Sequence, residues 1–329
     1  MKTNTRENIL ALIKKQGQVS PHQLQQELGF GGAAIHRQLR KLEARGSILK
    51  IGKAPRTVYV LHEAGVNLPA VSTLPDSVAT IIEDRYAYVN PDGVILEGVE
   101  GFAYWVQKTG MGEQFLSLAK EYVRVREEAD EWYQGQPWIA ATSKLTQTFP
   151  ETDIDQVAYA DFYALPKFGK TKLGTYTLHA KVSQNLPLMK MLVAEIKPIV
   201  TKLIEEWQIE AVAYIPHSIS RKLALLPVIA QELSLRLPLI TVEKFYAGEI
   251  RVPQKSLSKL TDRVENAQKT LYVTDKVPWQ RVLLIDDAVG SGATFDQVAK
   301  KLKSQFGTKF VAGFAIVGSY KGFEVISEV

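Results

Sequence analysis

At 329 residues, 46% hydrophobic and 23% charged, the chain has the length of two or three domains and the composition of an ordinary globular protein. It has no cysteine, which excludes disulfides and thiolate metal sites, and no run of about 18 apolar residues suited to a bilayer. The net charge of +5 is unevenly spread: residues 1–60 hold eleven Lys/Arg against three Asp/Glu, a balance of +8, leaving 29 against 32 elsewhere, a balance of −3, so a polyanionic partner is expected for the N-terminal end alone.

The opening stretch, MKTNTRENILALIKKQG, interrupts its apolar pattern with charges where a signal peptide would keep an unbroken apolar region, and a cytoplasmic protein is expected. Ile9, Leu10, Leu12 and Ile13 recur at helical spacing up to Gly17. A second helix is predicted from Ser20 as N-cap and Pro21 at the first helical position to Gly29. A third follows in GGAAIHRQLRKLEARG, where Ile35, Leu39 and Leu42 share one face. The opposite face carries Ala33, Arg37, Arg40, Lys41 and Ala44, with His36 beside it. Small residues let a helix approach closely, and arginines reach phosphates or guanine edges. SILKIGKAPRTVYVL then reads as two strands around a turn at Gly52–Pro55, with Lys53 and Arg56 at its tip.

This order of elements, with its turn glycine and basic tip, resembles a winged helix-turn-helix over residues 1–62. The resemblance implies that Ala33, His36, Arg37, Arg40 and Lys41 meet double-stranded DNA in the major groove while Lys53 and Arg56 touch its backbone. A solvated basic helix face is the alternative, and the +8 balance weighs against it.

Residues 63–77 mix Gly, Pro and Ser with small apolar residues and read as a linker. A hairpin is predicted at RYAYVNPDGVILEG, with its turn at Asn90–Gly93, and helices follow. The segment 78–153 shows no motif that carries chemistry; Glu127, Glu128, Asp130 and Glu131 read as a solvated helix face.

From residue 154 to 329 strand and helix patterns alternate. VAYADFYAL, EAVAYIP, LPLITVE, RVLLIDDAV and KFVAGFAIVG read as strands, with helices predicted at 186–207, 220–235 and 293–306. The expected fold class is α/β, a mostly parallel sheet flanked by helices, whose ligands bind beyond the carboxyl ends of the strands. Asp286 and Asp287 stand at such an end, and Ala288, Val289, Gly290, Ser291, Gly292, Ala293 and Thr294 follow directly into a helix. A loop so poor in side chains can turn its amides toward a phosphate. Carboxylates one step earlier can accept hydrogen bonds from sugar hydroxyls, so a sugar phosphate satisfies both halves.

VLLIDDAVGSGAT, residues 282–294, resembles the signature with which type I phosphoribosyltransferases bind 5-phosphoribosyl 1-pyrophosphate (PRPP); Gly290 stands where many members have threonine. PQKSLSKLTDRVEN is similar to a Gln-x-x-Leu, Arg-x-x-Asn segment of the ComF-like branch, matched by Gln254, Leu257, Arg263 and Asn266 with one extra residue before Arg263. The likeness implies a pyrophosphate loop at His217, Ser218 and Arg221. It also implies a hood over the site, the polar run of about 25 residues around 245–270, in which Gln254, Lys255, Lys259 and Arg263 face the pyrophosphate. Tyr320 and Phe323 are candidates for stacking a base.

Two functions follow from the resemblance. One is a transcriptional regulator whose second domain takes PRPP or a nucleotide as effector. The other is an active phosphoribosyltransferase that joins a nucleobase to PRPP with release of pyrophosphate, Asp286 and Asp287 holding the ribose as positive charge grows on C1. In both, Mg²⁺ arrives on the pyrophosphate and the protein alone supplies no metal site, while a homodimer is the expected assembly.

Overall fold

In the computed structural model, which describes residues 5–44, 47–53, 55–61, 74–148 and 151–320, the chain divides into two units at about residue 70. The linker expected at 63–77 lies mostly outside the described residues.

In the first unit, α1 (Thr5–Gln16) leads into β1 (Gln18–Val19), α2 (Pro21–Leu28), α3 (Gly32–Ala44), β2 (Ile48–Ile51) and β3 (Val58–Leu61). Local signals set these bounds. The Ser20 hydroxyl accepts from the Gln23 amide at 3.2 Å and Gln23 Oε1 accepts from the Ser20 amide at 2.8 Å, a reciprocal cap on α2. Gly29 ends the helix in the left-handed region. Ile9, Ile13, Leu24, Ile35, Leu39, Ile48 and Tyr59 close one core under an antiparallel sheet of order β1-β3-β2.

The second unit opens with α4 (Asp76–Arg85), the hairpin β4 (Ala87–Val89) and β5 (Ile95–Glu97), α5 (Gly98–Lys108) and α6 (Phe115–Asp130). Their core is aromatic: Tyr86 meets Phe102 edge-on at 5.2 Å and Tyr122 at 5.4 Å, and Tyr122 meets Phe168 at 5.3 Å. Next come β6 (Ile139–Ala140) and α7 (Thr142–Thr148). Beyond them lie β7 (Gln156–Phe162), β8 (Ala164–Leu165), β9 (Gly169–Lys170), α8 (Lys172–Ser183), α9 (Leu186–Glu206) and β10 (Ala211–Tyr214). The chain continues through α10 (Leu225–Leu233), β11 (Leu239–Ile240), β12 (Val242–Lys244), α11 (Leu260–Thr270) and β13 (Leu271–Val273) to β14 (Arg281–Val289), α12 (Ala293–Phe306) and β15 (Phe310–Gly318).

A central sheet of order β11-β10-β14-β15-β7-β6 is parallel except for β6. The fold is therefore mixed α/β with a mostly parallel sheet. Residues 74–148, which carry no motif, supply the antiparallel edge strand β6 and share one unit with everything that follows. Strands β14 and β15 are apolar and buried along most of their length, as parallel strands covered on both faces must be. The helix expected from residue 220 begins only at Leu225. Pro227 fits the first turn of a helix and no later one without losing a hydrogen bond, which leaves 215–224 as a loop.

The topology locates a crevice. From β10 the chain crosses to β11 on one side, and from β14 it crosses to β15 on the other. The carboxyl ends of β10 and β14, side by side with Tyr214 opposite Ile285, are thus the switch point of the sheet, where loops diverge and leave a hollow.

Candidate functional site

A cavity of about 190 Å³ opens at that switch point. The loop after β10 brings His217, Ser218 and Arg221 to it, the end of β14 brings Asp286, Asp287 and Ala288, the following loop and first turn of α12 bring Gly290 and Thr294, and the 253–263 segment brings Gln254 and Arg263. A smaller hollow of about 60 Å³ adjoins it and is bordered by Val289, Ser291, Gly292 and Ala293. The structure thus gathers His217, Ser218, Arg221, Gln254, Arg263 and the 286–294 residues around two adjoining hollows; Leu257 and Asn266 of the motif border neither, and the side chain of Lys255 lies outside the described residues. Lys259 is exposed and borders neither hollow.

The loop's bareness has a consequence. Gly292 takes φ of 76° as the N-cap of α12 and offers no side chain to its own helix. Among the described residues, the amides of Gly290, Ser291 and Gly292 meet no protein acceptor, and the Ala293 amide has only a long contact of 3.4 Å to the Ser291 hydroxyl. A helix start with free amides carries partial positive charge and suits an anion.

The two carboxylates are held differently. Asp287 pairs with Lys181 on α8 at 2.5 Å. Asp286 accepts from the Asp287 amide at 2.7 Å, and burial together with the Asp287 charge pushes its carboxyl up to about 8 against the pull of Lys181 and Lys244. Lys244, at the end of β12, donates to the Ser218 hydroxyl at 2.9 Å, and burial draws its ammonium down to about 8, a shift that Asp286 partly offsets. His217 is held below its ordinary value by loss of water and by the charges of Arg221, Arg251 and Lys181. Lys181, Arg221, Lys244 and Arg263 border the same hollow as Asp286 and Asp287, a lining whose cations suit an anion and whose carboxyls suit hydroxyl groups.

No protein-family model matches the chain, and no curated protein matches it.

Lys181 and Lys244 are the cations that sequence reasoning missed. Lys244 ends a short strand, and a basic residue at a carboxyl end was a usable signal. Lys181 gave none, because α8 buries Leu173, Thr175, Tyr176, Thr177 and Ala180 all around its axis and shows no apolar stripe. The four residues of the Gln-x-x-Leu, Arg-x-x-Asn pattern lock onto one another. Gln254 Nε2 donates to the Arg263 carbonyl at 3.0 Å and to Asn266 Oδ1 at 3.1 Å, and Arg263 Nε donates to the Leu257 carbonyl at 2.7 Å. Tyr320 packs edge-on against Phe162 at 4.9 Å, and Phe323 lies outside the described residues.

In the first unit, Ala33, His36, Arg37, Arg40 and Lys41 are exposed on α3, and Lys53 and Arg56 are exposed on the β2–β3 turn. That turn needs its glycine: Gly52 has φ of 80°, and a Cβ there would come within 2.4 Å of the Arg56 carbonyl oxygen. The Arg56 amide closes the turn on the Lys53 carbonyl at 2.8 Å. The cationic face and the cationic turn both belong to a unit with few acids.

Proposed function

We propose that the chain is a DNA-binding regulator, a winged helix-turn-helix joined to a domain of type I phosphoribosyltransferase architecture whose cavity takes PRPP or a nucleotide as effector. One observation carries the ligand half: the unengaged amides of Gly290–Gly292 and the carboxylates of Asp286 and Asp287 border one pair of adjoining hollows. A phosphate on the amides puts the sugar hydroxyls of the same molecule within the domain of the acids. The cations Lys181, Arg221 and Lys244 then face the remaining phosphates. Mg²⁺ would come with a pyrophosphate, coordinated by its oxygens and by water, and would neutralise part of its charge. The basic face of α3 and the cationic turn support the DNA half.

Effector control requires that the ligand favour one of the states that differ in DNA affinity. A gel-shift titration of the full chain tests it: PRPP with Mg²⁺, or a mono- or dinucleotide, changes DNA affinity several-fold. Affinity unmoved by every ligand in the panel would remove the sensing role.

A second reading, turnover of PRPP with a nucleobase, is favoured by the intact acid pair at the cavity. Release of pyrophosphate on incubation with PRPP, Mg²⁺ and a base identifies it. Binding without release with any base leaves the regulator alone.

The DNA half makes a separate prediction. Arg37, Arg40, Lys41, Lys53 and Arg56 contact phosphates or bases, so affinity falls steeply with ionic strength. Lys53→Ala reduces the slope of log affinity against log salt by about one. Equal slopes for variant and parent would contradict the role given to the turn.

A further inference from the structure

Arg263 sits on α11, a separate element from β14, which carries the acids, and from the loop that carries the amides, and only 5% of its surface is exposed. Its Nε is spent on the Leu257 carbonyl. Its Nη2 is sealed from solvent and has no acceptor in the protein, and among the described residues no carboxylate pairs with it. A buried cationic donor without an acceptor is costly, and folds retain one where something else supplies the acceptor. The guanidinium borders both hollows, and its Nη1 lies 3.5 Å from where a Cβ on Gly290 would stand. Glycine at 290 thus leaves room that a branched side chain would take. The resemblance points Arg263 at the pyrophosphate; the structure puts it against the Gly290–Gly292 loop.

We propose that Arg263 completes the phosphate site from α11: Nη1, the guanidinium nitrogen beside Gly290, donates to an oxygen of the same phosphoryl group that the Gly290–Gly292 amides hold, through the space that Gly290 leaves open. This rests on the reading of the cavity as a sugar-phosphate site and adds its specificity. The hollow selects phosphomonoesters over neutral ribosides, and because Gln254 and Leu257 hold Arg263 from the 254–257 turn, the phosphate also fastens that segment over the ligand.

Calorimetry on the full chain with ribose 5-phosphate and with ribose tests it. The parent binds the phosphate ester and binds ribose far more weakly. Arg263→Gln weakens ribose 5-phosphate about tenfold to a hundredfold, the range for a hydrogen bond to a charged group, and leaves the weak affinity for ribose unchanged. Arg263→Lys falls between the two, since it keeps the charge and loses the planar fork. Gly290→Val pushes the guanidinium aside, since a Cβ at 290 already stands 3.5 Å from Arg263 Nη1, and loses as much as Arg263→Gln. Combining Gly290→Val with Arg263→Gln adds little. Should Arg263→Gln lower the melting temperature, Gly290→Val carries the test, because it leaves Arg263 and its Leu257 bond in the chain. Undiminished affinity of both variants in a parent that binds the ester would overturn the inference and leave the sugar-phosphate reading standing. A parent that binds no ribose 5-phosphate would sink both.

Discussion

Asp286→Asn is expected to stabilise the free protein at neutral and mildly alkaline pH while weakening its hold on PRPP about tenfold or more. The carboxyl of Asp286 is raised in the folded chain by burial and by Asp287. A group raised on folding binds more protons in the native state than in the unfolded one. Its contribution is fully present below the ordinary carboxylate range and is lost as pH climbs to about 8. The parent therefore loses stability across that window, and Asp286→Asn, which has no charge to suppress, does not. The gain is on the order of 2 kcal/mol near pH 8, below the full linkage value because Lys181 and Lys244 share the hollow and part of Asp286 meets water. Near pH 4 parent and variant melt alike. Lys244, lowered to about 8, acts at higher pH and with the opposite slope, and His217 titrates in parent and variant alike, so the difference between their melts from pH 4 to 8 reports the carboxyl. A constant difference in melting temperature over that range would contradict the assignment. A site residue whose removal stabilises the fold is one kept for a ligand.

The second large effect concerns the segment without a motif. Arg126 on α6 is fully buried and donates through Nη1 to both oxygens of Asp161 on β7, at 2.8 and 3.1 Å, and through Nε to Asp130 at 2.9 Å. Its Nη2 is 2.7 Å from the same Asp130 oxygen, near enough for an ion pair but without hydrogen-bond alignment. Arg126→Met strands the Asp161 carboxylate, only 3% exposed, with the Phe162 amide and the Tyr133 hydroxyl left beside it and without the guanidinium that balances its charge. Breaking one side of such a pair costs about 3–5 kcal/mol. Combining Arg126→Met with Asp161→Asn restores much of the loss, since the stranded charge is then gone. Denaturant titration reads both. A single variant within about 1 kcal/mol of the parent would show that α6 is not pinned to the sheet by this pair.

What the sequence discloses follows the range of the interactions that decide it. Capping at Ser20 and Gly29 and the apolar face of Ile35, Leu39 and Leu42 are local, and the elements stand where those residues place them. Strand β14 and the loop after it are legible for the same reason: a strand covered on both faces must be apolar, and its ending in two acids and bare backbone departs sharply from that rule. The 78–153 segment was opaque because its role is set at long range, by Tyr86, Phe102, Tyr122 and Phe168 meeting from four stretches of chain. The helix α11 hides in a polar run because, of the residues it buries at helical spacing, Arg263, Ala267 and Thr270, only the small Ala267 is apolar. Lys181 reaches Asp287 across the fold, and only the packing of α8 brings them together.

In the proposed function, free amides before α12 and the acids of β14 grip one phosphorylated ribose. Titration calorimetry of the full chain with PRPP and Mg²⁺ reads that grip. Saturable binding at one site per chain is expected, weakened by Asp287→Ala and by a branched side chain at position 290. No heat of binding with PRPP, with or without Mg²⁺, in a chain that melts cooperatively would contradict it.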